Sequence, residues 1–176
     1  MPRPGHRWIH VTFSTHGAWL PGDRRGWRSR GHKRHSSGDY KSPPPAGEHR
    51  GLRDWAKQRR GAAVTLTSRL RPVVGMTIVE RLAIEDCRCL VVSVSGMHVH
   101  VLAELPESLP EQRAIIGRCK AFASKAIKRD LPGRVWTSGG SFKPIADEAH
   151  QRSTFSYIED HAKEGAWVWT FRDGWG

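Results

Sequence analysis

The sequence predicts an α+β fold in which one antiparallel sheet carries two crossover helices. Segments rich in β-branched and aromatic residues alternate with two longer ones whose apolar residues recur at helical spacing. Between the two middle strands stands only Ser95-Gly96-Met97, a turn short enough to force an antiparallel hairpin.

Taken in order, Trp8 to Ser14 (Trp-Ile-His-Val-Thr-Phe-Ser) is the first strand. Gly17, Pro21 and Gly22 punctuate the exit from it. From about residue 24 to 51 the composition shifts to Arg24, Arg25, Arg28, Arg30, Lys33, Arg34 and Lys41, interleaved with Gly, Ser and Pro43 to Pro45. Such a stretch has too little apolar content to pack and is expected to be an irregular basic insertion. It suits contact with phosphates, with Trp27 or Tyr40 stacking on bases, or else a solvated surface loop.

Leu52 to Arg60 reads as a short helix, and Ser68 to Glu85 as a firmer one through Leu70, Val73, Val74, Thr77, Ile78, Arg81 and Leu82. Pro72 falls in its first turn, where proline is tolerated. Arg88 to Val94 and His98 to Leu105 form the hairpin, and Pro106 ends its second strand. Pro110 to Arg129 is a helix with a stripe of Ile115, Ile116, Cys119, Phe122, Ala123, Ala126 and Ile127. Its basic exterior includes Arg113, Arg118, Lys120, Lys125, Lys128 and Arg129. Arg134 to Thr137 and Ser141 to Ile145 read as a short strand around Ser138-Gly139-Gly140. A last helix runs from about 147 to 164, stopped by Gly165. The Trp-rich tail, 165 to 176, alternates as an edge strand, a dimer contact or an aromatic cap would. Setting aside the insertion and the last helix, the order is β-α-β-β-α-β, which is ferredoxin-like.

At 176 residues the chain fits a single domain, 1–176, able to bury a sizeable core. The formal charge of +12 points to a polyanionic partner, nucleic acid before an anionic membrane surface. No apolar stretch approaches the roughly 20 residues of a bilayer span, and the N-terminal residues lack the apolar core of a signal peptide. Three cysteines, Cys87, Cys89 and Cys119, fit a reduced cytoplasmic protein without a disulfide framework. Cys87 and Cys89 read as small buried strand residues or as an extension of a metal site.

His98-Val99-His100 sits inside this apolar hairpin. Alternation along a strand turns both imidazoles to one face and Val99 and Val101 to the other, so the pair can offer two nitrogens to one ion. In the last helix Tyr157 and His161 stand at i and i+4 and share a face. A tyrosine hydroxyl is a poor nucleophile until its proton is lost or its target is polarised. A divalent ion held by three side chains supplies that polarisation on a phosphodiester. The same residues also suit a purely structural role, Tyr157 packing on Phe155 or Ile158 and His161 lying near the helix C-terminus.

These motifs together resemble the single-tyrosine HUH transposases, in particular the REP-associated tyrosine transposase (transposase IS200-like) branch. The resemblance lies in Val11-Thr12-Phe13 with Gly17 to Trp27, the hairpin Leu90 to Leu105 bearing His98-Val99-His100, Lys120 to Trp136, and Tyr157-Ile158. It implies a metal-dependent single-stranded DNA endonuclease and transesterase. His98, His100 and His161 would hold Mg²⁺ or Mn²⁺, and Tyr157 would attack the phosphate to leave a 5′-phosphotyrosine and a free 3′-OH. Hairpin or palindromic repeat DNA is the implied partner, bound by a homodimer in the bacterial cytoplasm, on the nucleoid. Arg24, Arg25, Arg28, Arg30, Lys33, Arg34, Lys120, Lys125 and Lys128 are the candidate nucleic-acid contacts. Two positions depart from the family pattern. His161 stands where an amide is common, which shifts preference from Mg²⁺ toward Mn²⁺ or other transition ions, and Met97 stands where Asn is frequent. The alternative is a domesticated or inactive relative that binds structured DNA or RNA without cleaving it. A basic ferredoxin-like RNA-binding module with incidental histidines is a third.

Overall fold

A computed structural model describes residues 1–18, 20, 23, 27, 35–38, 42–61 and 63–174. Its strands are β1 (His6–Ser14), β2 (Cys89–Val94), β3 (His98–Pro106), β4 (Ser141–Pro144) and β5 (Trp167–Thr170). Its helices are α1 (Arg50–Arg60), α2 (Leu70–Ile84), α3 (Leu109–Ala126) and α4 (Glu148–Glu159). The strands form one sheet in the order β4-β1-β3-β2-β5, every neighbouring pair antiparallel. Without β5, that order and the two crossovers, α2 before β2 and α3 before β4, are the ferredoxin-like arrangement the sequence predicts.

The pleat assigns the faces. Ile9, Val11 and Phe13 of β1, Val92 and Val94 of β2, and Val99, Val101, Ala103 and Leu105 of β3 are buried and share a face by register. The crossover helices cover that face. α2 buries Leu70, Val74, Gly75, Ile78, Val79 and Leu82, and α3 buries Ile115, Ile116, Cys119 and Ala123. At Gly75 a side chain would run into the Trp167 ring, so this glycine is what lets β5 close against α2. Phe122 and Ala126, expected in the α3 stripe, are exposed instead. The buried positions recur three to four residues apart, which leaves these two on the flank, and Phe122 is covered by the Arg81 guanidinium 4.6 Å from its ring centre.

All three cysteines are buried and free. Cys89 pairs with Ala103 in register and so lies on the helix-covered face, away from the histidines. Burial pushes the Cys87 thiol up to about 11 and Cys119 to about 12. They behave as small apolar residues rather than metal ligands. Of the expected strand 134–145, only Ser141–Pro144 pairs as β4, while Trp136 makes an isolated bridge to Thr15. The tail supplies β5, an edge strand on β2.

The chain falls into two compact units, Met1–Thr15 with Thr65–Gly176, and His16–Val64. The smaller unit contains α1 and buries Ala18, Leu20, Trp27, Ser36 and Ala56. Here the expectation for Trp27 is corrected. Its backbone is tied to Ser36 by a hydrogen bond in each direction, both 3.0 Å, and its ring meets His49 edge-on, so it is a core residue of this unit rather than a platform for bases. Arg24, Arg25, Arg28, Arg30, Lys33, Arg34, Tyr40 and Lys41 lie outside the described residues. Among the described residues no helix is long and apolar enough to cross a membrane.

Candidate metal centre

The sheet face opposite α2 and α3 carries the polar residues. Register places Ser14 opposite His98, and both Thr12 and Ser93 opposite His100. The turn before β3 is held locally: the Ser95 Oγ accepts from the His98 N–H (3.1 Å) and donates to its carbonyl (3.0 Å). The Thr15 N–H donates to the Met97 carbonyl at 2.8 Å. Met97 therefore meets the residue that follows β1 through its backbone carbonyl, which any residue supplies.

α4 crosses this second face. Asp147 caps it by accepting from the His150 N–H at 2.7 Å, a strong N-terminal signal. Ile158 packs into a small cluster with Val91 and Leu102, flanked by Leu90, Phe155 and Val168. The chain then tightens into a 3₁₀ turn over Asp160–Glu164, and Gly165, at φ 80°, releases it into β5. The expected helix 147–164 is thus α4 plus that turn. Inside it the His161 Nδ1–H donates to the Tyr157 carbonyl at 2.9 Å, which leaves Nε2 as the available nitrogen.

These elements bring His98, His100 and His161 together, one nitrogen from each lying within 4.8 Å of the others. The ring of His161 is 4.6 Å from His100 and 5.9 Å from His98, centre to centre. Metal–nitrogen bonds of about 2.0–2.1 Å place two ligands of one ion at most about 4.2 Å apart, so the three need only close slightly to share an ion. Burial, and then the neighbouring imidazoles, hold His100 down to about 3, keeping it neutral as a ligand must be. Ser93 adds an independent sign of fit. Its hydroxyl, on this face beside His100, is buried without a hydrogen-bond partner among the described residues, as an atom that completes its bonding through a bound ion or its water would be. Among the described residues the donor set is three imidazoles, ligands of the kind that suit transition ions.

Tyr157 stands over the cluster, its ring 4.8 Å from His161, 5.7 Å from His100 and 6.1 Å from His10. It remains 53% exposed and is accessible from solvent. Histidines on two elements and a tyrosine on α4 therefore converge within one chain.

Sequence reasoning missed His10. Its Nε2 is 3.0 Å from the His100 Nδ1, and the Thr12 hydroxyl is 3.2 Å from the same atom. Burial first, then Lys143, His161 and His150, lower His10 to about 4. The alternation of Trp8 to Ser14 already placed His10 and Thr12 on the polar face; the missing information was the register of β1 against β3, a pairing between distant segments.

The remaining candidates lie elsewhere. Lys120 reaches from α3 to donate to the carbonyls of Thr137 (2.7 Å) and Gly139 (2.9 Å), with its ammonium 5.3 Å from the Phe13 ring centre. Lys125 and Lys128 are exposed at the end of α3, on the sheet face opposite the histidines. A cavity of about 540 Å³ lies along the other flank of α4, lined by Trp8, Phe155, Phe171 and Arg88 among others, and does not include the cluster.

No protein-family profile matches the chain, and no curated protein matches it. Among solved structures it is similar to the REP-associated tyrosine transposase bound to a REP hairpin, at 14% identity and a TM-score of 0.48, covering 94% of this chain and 72% of that one.

Proposed function

We propose that the chain is a metal-dependent nicking and joining enzyme for single-stranded DNA, of the single-tyrosine HUH transposase type that its motifs resemble. The observation that carries this is Tyr157 over the His98, His100 and His161 cluster in one chain. A positively charged protein of +12 suits the substrate, and hairpin or palindromic repeats are the proposed sites.

His98, His100 and His161 would hold the ion, which when bound polarises the scissile phosphate and offsets charge developing in the displacement. Tyr157 supplies the nucleophile. Its phenolic oxygen forms the new bond to phosphorus, the bond from phosphorus to the 3′ oxygen breaks, the phenolic proton passes to solvent and the 3′ oxygen takes one up. The products are a 5′-phosphotyrosine and a free 3′-OH. Attack by another 3′-OH reverses the step and joins strands with no external energy source. Because the nucleophile and its histidines meet within one chain, the chemistry is proposed to run in cis, whether or not two chains associate on DNA.

The test is a covalent adduct. Wild-type protein with Mn²⁺ and a single-stranded hairpin should give a species that survives denaturing electrophoresis, while Tyr157→Phe gives none yet still binds the hairpin. Hairpin binding by the wild type without adduct in either Mg²⁺ or Mn²⁺ would make the protein a binder of structured nucleic acid instead.

A further inference from the structure

We propose that His10 is a positioning residue: its Nε2 accepts the Nδ1–H of His100 and so fixes the tautomer that leaves the His100 Nε2 free for an ion. The proposal rests on the reading of His98, His100 and His161 as a metal site, and it adds a residue outside that triad.

The geometry leaves few assignments. Three polar atoms meet at one point: His100 Nδ1, His10 Nε2 at 3.0 Å and Thr12 Oγ1 at 3.2 Å, with 3.4 Å between the last two. A neutral imidazole carries one proton on one nitrogen. For His100 to bind an ion through Nε2, that proton must be on Nδ1 and needs an acceptor. A bare His10 Nε2 is the nearer acceptor, and its single lone pair takes the His100 proton, so the Thr12 hydroxyl turns its own proton away from both nitrogens. His10 then carries its proton on Nδ1, and all three groups are consistent. The opposite arrangement, His10 donating to His100, leaves the proton of His100 on Nε2 and blocks that ligand.

The rings support the same role. His10 and His100 lie edge to edge, with centroids 5.3 Å apart and an interplanar angle of 28°, as a hydrogen bond near both ring planes requires, so His10 also sets the rotation of the His100 ring. A ligating histidine held by a second polar group is the usual means of orienting it, and losing that group costs about 10- to 100-fold in affinity. Here the second group is another imidazole on the neighbouring strand, in place of the commoner carboxylate or carbonyl.

Two variants and two readouts decide the matter. His10→Phe keeps a ring of similar shape but offers no acceptor, and His10→Gln places an amide oxygen where Nε2 stands. Nitrogen-15 correlation spectra of the histidine side chains in metal-free protein should show His100 protonated at Nδ1 in the wild type and in His10→Gln, and shifted toward Nε2 in His10→Phe. Titration with Mn²⁺ should show affinity reduced about 10- to 100-fold in His10→Phe and within a few-fold of wild type in His10→Gln. A wild-type His100 protonated at Nε2, or a His10→Phe protein with unchanged tautomer, overturns the proposal. So does finding that Thr12→Val, and not His10→Phe, shifts the tautomer. If the wild type takes up no ion, the metal reading fails separately and the tautomer spectra still decide the role of His10.

Discussion

At the scale of single residues, Glu104 shows how the histidine face is tied down at its far end. It follows His98, His100 and Leu102 on the same side of β3, yet it is wholly buried. Arg88 meets its carboxylate with two contacts, 2.6 and 2.8 Å, and Arg3 adds two more, from its guanidinium at 3.1 Å and from its backbone N–H. The hydrogen bonds from Arg88, with those from Arg3, hold Glu104 down to about 2. Glu85, between Arg118 and Arg81, is lowered to about 2 as well. A carboxylate with a depressed folded pKa stabilises the fold above its ordinary value, near 4.5, because the unfolded chain takes up the proton first. That stability is lost as pH falls from about 4.5 toward 2. Thermal midpoints measured at pH 7, 4.5 and 3 should fall across this window, and Glu104→Gln should start lower at pH 7 and lose less on acidification. An acid slope in Glu104→Gln equal to that of wild type would show that this carboxylate is not responsible. Alternation along the apolar run shows which face Glu104 takes. Its partner Arg3 lies 101 residues away, a pairing no local pattern reveals.

At the scale of elements, periodicity located the helices and hairpin, and their ends and partners came from packing. The two halves of the site differ in this respect. His98-Val99-His100 is legible because a strand has period two, whereas α4 is legible as a helix but not in where it lies. Its placement depends on Ile158 filling the space over Val91 and Leu102, from segments far apart in the chain. The tail illustrates the same limit: its alternation suits several roles, and only Gly75, which admits Trp167 to α2, selects an edge strand. Ile158→Ala should therefore cost about 2–5 kcal/mol by leaving a void under α4, against about 0.5–1.5 kcal/mol for Ile158→Val. Chemical denaturation gives these values. Hydrogen exchange should quicken at the α4 amides first, and adduct formation should fall with it because Tyr157 and His161 travel with the helix. Exchange that quickens equally in α3 would mean that Ile158 supports the whole sheet rather than this helix.

At the scale of the whole molecule, the topology brings a residue from β1, two from β3 and two from the C-terminal segment to one sheet face, so the site exists only once β1 has paired with β3 and α4 has packed on β2 and β3. The order of strands and helices was readable in the sequence because each crossover is local. The convergence of His10, His98, His100, Tyr157 and His161 was readable only in part, since it needs the β1–β3 register and the angle of α4. That convergence within one chain carries a consequence for assembly. Wild-type chains that react in cis need no partner's tyrosine, so a mixture of His100→Ala and Tyr157→Phe proteins should recover no adduct on hairpin DNA. If two chains instead exchanged α4, each mixed dimer would hold one intact pairing of tyrosine and histidines. Random mixing would then restore roughly a quarter of the wild-type sites, half the dimers being mixed and half the sites in each being intact. The measurement is adduct yield against mixing ratio at fixed total protein. A maximum near equal amounts sinks the cis assignment while leaving Tyr157 as the nucleophile, whereas a flat zero places nucleophile and histidines in the same chain.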